Sequence, residues 1–552
     1  MNLRLKKNFQ RRSCLILAIY YILVIANGKP LDLANLNSTQ GFEIINSNGE
    51  VRTYNGANIG DLNGDHIDDL LLTVIDPNVV DGLRDHQIYI LYGNTTSRNL
   101  TIDISEANSS PYQGFWIKNL GYVYEGIAKC AGDLNEDGVN DIIRKSLNKN
   151  HPTELVLVIY GNKDPMLNID VNSADFTPNQ GFRILDSTID SDDSTQDGGL
   201  RDVTINRAGD VNGDGIDDIV IGFAGKDTYR GIAYVIFGSK NPILDIDVGS
   251  ASFSPNQGFR IWNSKYTNYE KIGFSVSFAG DVNGDNIDDV IISCPHSPGL
   301  GLVYVIFGRT QSISDVDVGS SNFAPNQGFK IFDSSVTDFS LFGYDIRGAG
   351  DMNGDGVDDF LITDYQRNHY RGIVYVVYGS KTPILEIDLG SATFSPSQGF
   401  KIWNSKANIN HNFGWIVDII DINGDHLNDI IISEPADPSF GSPSAYVIYG
   451  SWNPFQDFDV SENFSSDLGF RIWNSFSKFR FSGVGSNAGD INGDGISDMA
   501  IPGSSQYGGA STTFVIYGKK LECPNNCWSC IVVGAQNFRL KIVFIFFCYF
   551  KL

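Results

Sequence analysis

The sequence predicts an all-β chain, a seven-bladed β-propeller with four strands per blade, closed by its own N-terminal strand. Three observations predict it. One motif occurs seven times at near-constant spacing, runs rich in β-branched and aromatic residues separate the copies, and no helical periodicity interrupts them.

The copies begin at Asp61, Asp133, Asp210, Asp281, Asp351, Asp421 and Asp490, at intervals of 72, 77, 71, 70, 70 and 69 residues. Each is followed by a short apolar run, such as Val290 to Ile292, then a turn and a run ending in aromatic-Gly, such as Leu302 to Gly308. Further on stands Gln-Gly-Phe-x-Ile, at Gln40, Gln113, Gln180, Gln257, Gln327 and Gln398, with Leu468-Gly-Phe-Arg-Ile472 as a variant. Runs of this kind between Gly, Pro and Asn are strands. Together with the residues before each Asp motif they make four strands per unit, the content of a propeller blade. Blades pack on neighbours through both faces, so their strands should be apolar throughout, as Asp289-Val-Ile-Ile-Ser293 is. A linear array of small sandwiches is the alternative.

The order of elements predicts how the ring closes. A strand at Gly41 to Ile45 precedes the first motif, whereas the last unit stops after its third strand, at Phe514 to Gly518. The N-terminal strand therefore completes the seventh blade.

Residues 1–28 carry five basic residues and no acidic one, then an apolar run from Cys14 to Ala26 and a small-x-small pattern at Ala26-Asn27-Gly28. This is the pattern of a secretory signal peptide. Read as an uncleaved anchor, its 13 apolar residues fall short of the roughly 20 that span a bilayer. Sequons at Asn37, Asn94, Asn99, Asn108 and Asn463 suit an exported, cell-surface or secreted glycoprotein. Residues 29–520 form the propeller and 521–552 a tail. Cys130 and Cys294 are isolated and Cys523, Cys527, Cys530 and Cys548 crowd the tail, so disulfides do not hold the body.

The chain carries a formal charge of -25, and -30 once the basic leader is removed. So acidic a body repels phosphate backbones, which excludes nucleic acid as a partner and calls for cations. The Asp motifs supply the sites. Each presents oxygen at positions 1, 3, 5 and 9, with a backbone carbonyl at position 7. In order they are Asp61, Asn63, Asp65, Ile67 and Asp69; Asp133, Asn135, Asp137, Val139 and Asp141; and Asp210, Asn212, Asp214, Ile216 and Asp218. Next come Asp281, Asn283, Asp285, Ile287 and Asp289; Asp351, Asn353, Asp355, Val357 and Asp359; and Asp421, Asn423, Asp425, Leu427 and Asp429. The last set is Asp490, Asn492, Asp494, Ile496 and Asp498. Hard oxygens in this number suit Ca2+ better than Mg2+, which wants a small octahedral site and keeps its water. Up to seven Ca2+ ions would bring the body from -30 to about -16. The loops are not EF-hands, because the Glu at position 12 is missing and a strand follows where a helix would. The bland alternative is that Asp-x-Asn-Gly-Asp is only a tight-turn signal.

The unit Phe342-Gly-Tyr-Asp-Ile-Arg-Gly-Ala-Gly-Asp-Met-Asn-Gly-Asp-Gly-Val-Asp-Asp359, followed by Gly372-Ile-Val-Tyr-Val-Val-Tyr-Gly379, resembles the FG-GAP repeat of integrin α subunits. The likeness spans roughly residues 31 to 520. It implies a seven-bladed propeller whose calcium loops lie between the first two strands of a blade, on the face opposite the main ligand-binding loops. The family's calcium positions match in all seven blades, more than integrins usually occupy. The Gly-Ala-Pro of the name is replaced by Ser293-Cys-Pro295, Ser433-Glu-Pro435 or Thr363-Asp-Tyr365, and no leg domains or membrane helix follow, so a signalling receptor is not implied.

With seven His, two of them (His66, His426) inside the Asp loops, the chain shows no zinc-protease motif, nucleophile elbow or phosphate loop, and the sequence predicts no enzyme. FG-GAP repeats also occur beside catalytic domains, as in phospholipases that cleave lipid anchors, but no stretch outside these repeats is long enough to be one. The recurring Trp262, Trp403 and Trp473 are expected to pack blades, with a sugar platform as the alternative. The expected partner is an extracellular protein or glycan, with adhesion as the setting; a secreted hydrolase or lectin-like propeller with its site in the loops of one face is the alternative. The tail, with Cys523, Cys527 and Cys530 and nine apolar residues from Ile542 to Phe550, leaves membrane attachment through the C-terminus open.

Overall fold

The computed structural model describes residues 31–520, leaving out 33–37, 48–49, 53–57, 76–85, 96–100, 106–112, 119–127, 146–152, 172–175, 190–202, 266–268, 298–300, 337–339, 408–410, 436–442, 474–478, 482–484, 506–511 and positions 165, 167, 312 and 463. The leader, the tail and the sequons other than Asn94 lie outside the described residues. Among the described residues, no helix is long and apolar enough to cross a membrane.

Seven separate sheets form, one for each Asp motif. The third shows the plan. Val203–Gly209, Asp218–Phe223, Ile232–Ile236 and Gly258–Trp262 pair antiparallel in sequence order, with the Asp loop joining the first two. A fifth strand of two residues, Val316–Asp317, then adds in parallel to the outer edge. It comes from the connection between the third and fourth strands of the next blade, so each blade reaches over to edge its predecessor. The repeat count alone does not reveal this strand, because two residues are too few for a periodicity.

Seven apolar clusters hold the sheets, one between each pair of neighbouring blades. Ile219 and Ile221 join Ile143 and Val156 of the blade before, while Val220 joins Val290 and Ile292 of the blade after. Alternate residues of one strand thus face opposite neighbours, which is why Asp218–Phe223 is buried at every position. The fourth strands depart from the expected all-apolar pattern: Gly258–Trp262 alternates buried and half-buried positions, because it lies at the rim. There Trp262 and Trp403 are half-buried.

The ring closes as the sequence predicts. Gly41–Ile45 pairs with Thr512–Ile516 and so becomes the fourth strand of the seventh blade. The preceding Leu31–Asp32 also pairs with Gly469–Trp473 of the sixth blade, a second N-terminal tie. Phe42 and Ile44 then join Leu70, Leu72 and Tyr89 in the cluster between the last blade and the first.

The Gln-Gly-Phe repeat has a backbone cause. Gly258 takes φ 149°, and a Cβ there would overlap the carbonyl oxygen of Val235 on the third strand. The carbonyl of Gln257 meanwhile accepts the N–H of Phe237, the aromatic of the preceding aromatic-Gly. Replacing Gly258 by Ala is expected to lower stability by about 3 kcal/mol or more, since backbone must move. Thermal unfolding checks this, and an unchanged melting temperature would show that the strand pair can separate freely.

Candidate metal centres in the Asp loops

All seven loops fold by the same hydrogen bonds. In the third, Asp210 Oδ1 accepts the N–H of Asp214 at 2.9 Å and its Oδ2 that of Gly215 at 2.8 Å. Asp214 Oδ1 accepts the N–H of Ile216 at 3.0 Å. Asp218 accepts the N–H of Val211 at 2.9 Å on one oxygen and that of Gly238 at 2.9 Å on the other. The fourth loop repeats this with Asp281, Asp285 and Asp289. Asn at position 3 lies inward, Asn492 Nδ2 donating to Asp498 at 3.1 Å and Asn63 Oδ1 accepting from Asp65 N at 3.0 Å.

Position 6 is left-handed throughout: Gly138, Gly215, Gly356 and Gly495 take φ 82° to 88°, and His66, Asn286 and His426 take 66° to 69°. The sequence variation there is thus carried by one backbone, at a cost of about 1 kcal/mol for a residue with a Cβ.

The position 9 carboxylates, Asp69, Asp141, Asp218, Asp289, Asp359, Asp429 and Asp498, are 0% exposed. Burial pushes Asp69, Asp359, Asp429 and Asp498 up to about 8, and the charges of the Asp at positions 5 and 1 add to it. Asp141, Asp218 and Asp289 are raised for the same reasons. Among the described residues, no Lys or Arg pairs with any of these seven. Nor, among the described residues, do three acidic or metal-ligating side chains of a loop converge into one tight group; each faces backbone N–H donors first. The donor set nevertheless suits a hard cation: carboxylate and amide oxygens only, crowded on a single turn, with one buried charge that no protein cation offsets.

The loops also form the seams between blades. The N–H of position 8 donates to the carbonyl of position 1 in the blade before, as Asp288 does to Asp210 and Asp68 to Asp490, both at 3.3 Å. In return Asp288 and Asp68 accept the N–H of those same residues at 2.8 and 3.0 Å. The Asp68–Asp490 pair bridges the first and last loops. Position 8 carries this role unnoticed in the sequence, where the first Asp of Asp-Asp reads only as part of the motif. Cys130 and Cys294 are free thiols.

No family model matches the chain. Among curated proteins it is 30% identical over 263 residues to human phosphatidylinositol-glycan-specific phospholipase D, covering 44% of this chain and 26% of that protein. It is 30% identical over 172 residues to integrin alpha pat-2 of Caenorhabditis elegans, covering 29% and 13%. With mouse integrin alpha-IIb it shares 27% over 99 residues, covering 18% and 8%. The chain is a seven-bladed propeller similar in sequence to integrin α subunits. A solved structure entitled "Structure of Dos1 propeller" spans 89% of the chain and 96% of its own at 11% identity, but with a TM-score of 0.34 it carries no argument. The propeller rests on its strand pairing.

These relatives correct one expectation. The absence of catalytic motifs led to the prediction that the chain is no enzyme, yet the phospholipase D relatives are enzymes by name. The expectation rested on the lack of catalytic motifs and of a stretch outside the repeats long enough for a catalytic domain, and relatives that are enzymes overturn it. The chain spans about a quarter of the human phospholipase's length, so that activity is not carried over with the fold.

Proposed function

We propose that the chain is an exported, calcium-loaded propeller that binds an extracellular protein or glycan through the loops opposite its Asp loops, in an adhesive setting. The observation that carries this is the sevenfold recurrence of one loop fold with the same oxygen positions. In each loop the side chains at positions 1, 3, 5 and 9 would hold the ion, with the carbonyl at position 7. The ion supplies the positive charge that the buried position 9 carboxylate lacks. Because the same loops carry the blade seams, that charge would stiffen the ring as well as the turn. The leader 1–28 and the likeness to integrin α subunits support the exported setting.

Expression of the full chain in secreting cells tests the reading. The expected result is glycosylated protein in the medium with about seven calcium ions per chain, counted by atomic emission. Protein retained inside the cell, or free of calcium, would overturn it.

A second reading is favoured by the phospholipase D relatives: the propeller serves hydrolysis of a phosphatidylinositol-glycan anchor. Incubating the secreted chain with membranes bearing an anchored reporter decides it, since release above buffer supports this reading and none removes it.

A further inference from the structure

At the end of the blades opposite the Asp loops stand two copies of a turn whose Tyr-Arg-Gly-Ile sequence the other blades do not share. Lys226-Asp-Thr-Tyr-Arg-Gly-Ile232 joins the second and third strands of blade three, and Arg367-Asn-His-Tyr-Arg-Gly-Ile373 does so in blade five. Both take three successive left-handed residues without glycine: Asp227, Thr228 and Tyr229 at φ 51°, 59° and 64°, and Asn368, His369 and Tyr370 at 54°, 61° and 63°. Such runs are unfavourable for L-residues and persist only where surrounding contacts hold them, as at binding sites.

The contacts are the same in both. Lys226 is bonded to the buried Asp186 and, at 2.8 Å, to Thr188 Oγ1. Arg367 pairs with the buried Asp333 at 3.4 Å and donates to Ser335 Oγ at 2.8 Å. The carbonyl of Tyr229 accepts the N–H of Lys271, and that of Tyr370 the N–H of Asn412, at 2.9 and 2.8 Å. Each turn is therefore tied to the blade before it and the blade after it.

What the turns present is aromatic and cationic. Tyr229 stacks on Tyr269 at 5.7 Å, and Lys271 lies over both Tyr229 and Phe274, at 5.2 and 5.9 Å. Phe274 contacts Tyr344 at 5.5 Å, Tyr344 contacts Tyr365 at 4.5 Å, and Tyr365 contacts Tyr370 at 6.1 Å. The belt thus runs from one turn to the other, with Lys271 bridging Tyr229 and Phe274, and Tyr269 63% and Tyr370 39% exposed at its ends. Beyond the two anchored bases, the belt carries Arg230, Lys271 and Arg371 on a chain whose net charge is -25. Of its acids only Asp227 is exposed; Glu270 and Asp364 are buried.

We propose that this belt binds an acidic polysaccharide, a sulfated chain whose sugar faces stack on the tyrosines while Arg230 and Arg371 take its sulfates. This rests on the reading of that face as the ligand face and names the ligand class. Rings offering flat apolar faces suit sugar C–H surfaces, planar guanidinium groups suit tetrahedral anions bidentately, and a positive strip on an acidic body selects a polyanion. Among the described residues the large exposed apolar side chains Leu244, Leu385 and Trp452 lie on other segments, so the described belt offers rings without an inserting aliphatic group, which favours a glycan over a membrane.

The test is binding of the secreted full chain, in calcium, to size-defined heparin oligosaccharides, with neutral dextran oligosaccharides and phosphatidylserine vesicles as comparison probes. Binding is expected for heparin only, weakening steeply with salt. It should fall at least about tenfold in Arg230→Gln/Arg371→Gln and in Tyr229→Ala/Tyr370→Ala. Arg230→Lys/Arg371→Lys keeps charge and guards against misfolding; it should retain partial binding and the wild-type melting temperature. No heparin binding, equal binding of dextran, binding of vesicles alone, or an equal loss in Lys163→Gln/Lys381→Gln at the Asp-loop end would each overturn the proposal. Melting the same samples with and without calcium separates the two readings. Calcium stabilisation without heparin binding sinks the glycan site only, and heparin binding without calcium stabilisation sinks the calcium reading only.

Discussion

Chelating calcium from the secreted chain is expected to lower its melting temperature by tens of degrees. A ligand bound only to the native state adds about 2.7 kcal/mol per site at a hundred times its dissociation constant, and seven like sites act together. Ring geometry strengthens the effect, because each loop also carries a seam. The pH dependence gives the sharper signature. In the metal-free protein Asp69, Asp359, Asp429 and Asp498 are raised from 3.8 to about 8, and Asp141, Asp218 and Asp289 are raised as well. A carboxyl raised in the folded state holds its proton where the unfolded chain has lost it, so stability falls as pH rises from about 4 to about 8. The raised Asp68, Asp288 and Asp358 act in the same direction. With calcium the trend reverses, since the ion binds the deprotonated form. The gap between calcium and chelator melting curves should therefore widen from pH 5 to pH 8. Superimposed curves at both pH values would reduce the Asp loops to turns.

Removing residues 29–50 from the mature chain is expected to be nearly as damaging. The deletion takes Gly41–Ile45 from the seventh blade and Leu31–Asp32 from the sixth. Burial of Phe42 and Ile44 is lost, worth about 1.5–3 kcal/mol each, and Thr512–Ile516 becomes an open edge that can pair with another chain. A lower melting temperature should appear together with concentration-dependent aggregation by light scattering. Phe42→Ala isolates the packing share at about 3–5 kcal/mol. If the truncated protein melted like the full chain, the ring would be held by the Asp68–Asp490 seam alone.

The sequence by itself determined the blade count, the strand order and the closing role of Gly41–Ile45, because each rests on a local pattern repeated at one period. The oxygen positions of the Asp loops were legible for the same reason, and so were their left-handed position 6 residues wherever Gly occupies them. His66 and His426 hide that conformation behind a side chain. The expectation of no enzyme did not hold against the phospholipase D relatives, since the lack of a catalytic motif within a repeat does not separate it from the repeats of enzymes.

Tertiary structure alone decided what joins residues of neighbouring blades. Asp288 serves Asp210, Asp68 serves Asp490, and Lys226 and Arg367 reach carboxylates in the preceding blades. A two-residue edge strand such as Val316–Asp317 leaves no periodicity to read, and the belt from Tyr229 to Tyr370 draws on three blades. Spacing along the chain reports which residues share a turn or a strand, whereas contacts across a seam depend on how neighbouring sheets pack, and that packing exists only once the ring has closed.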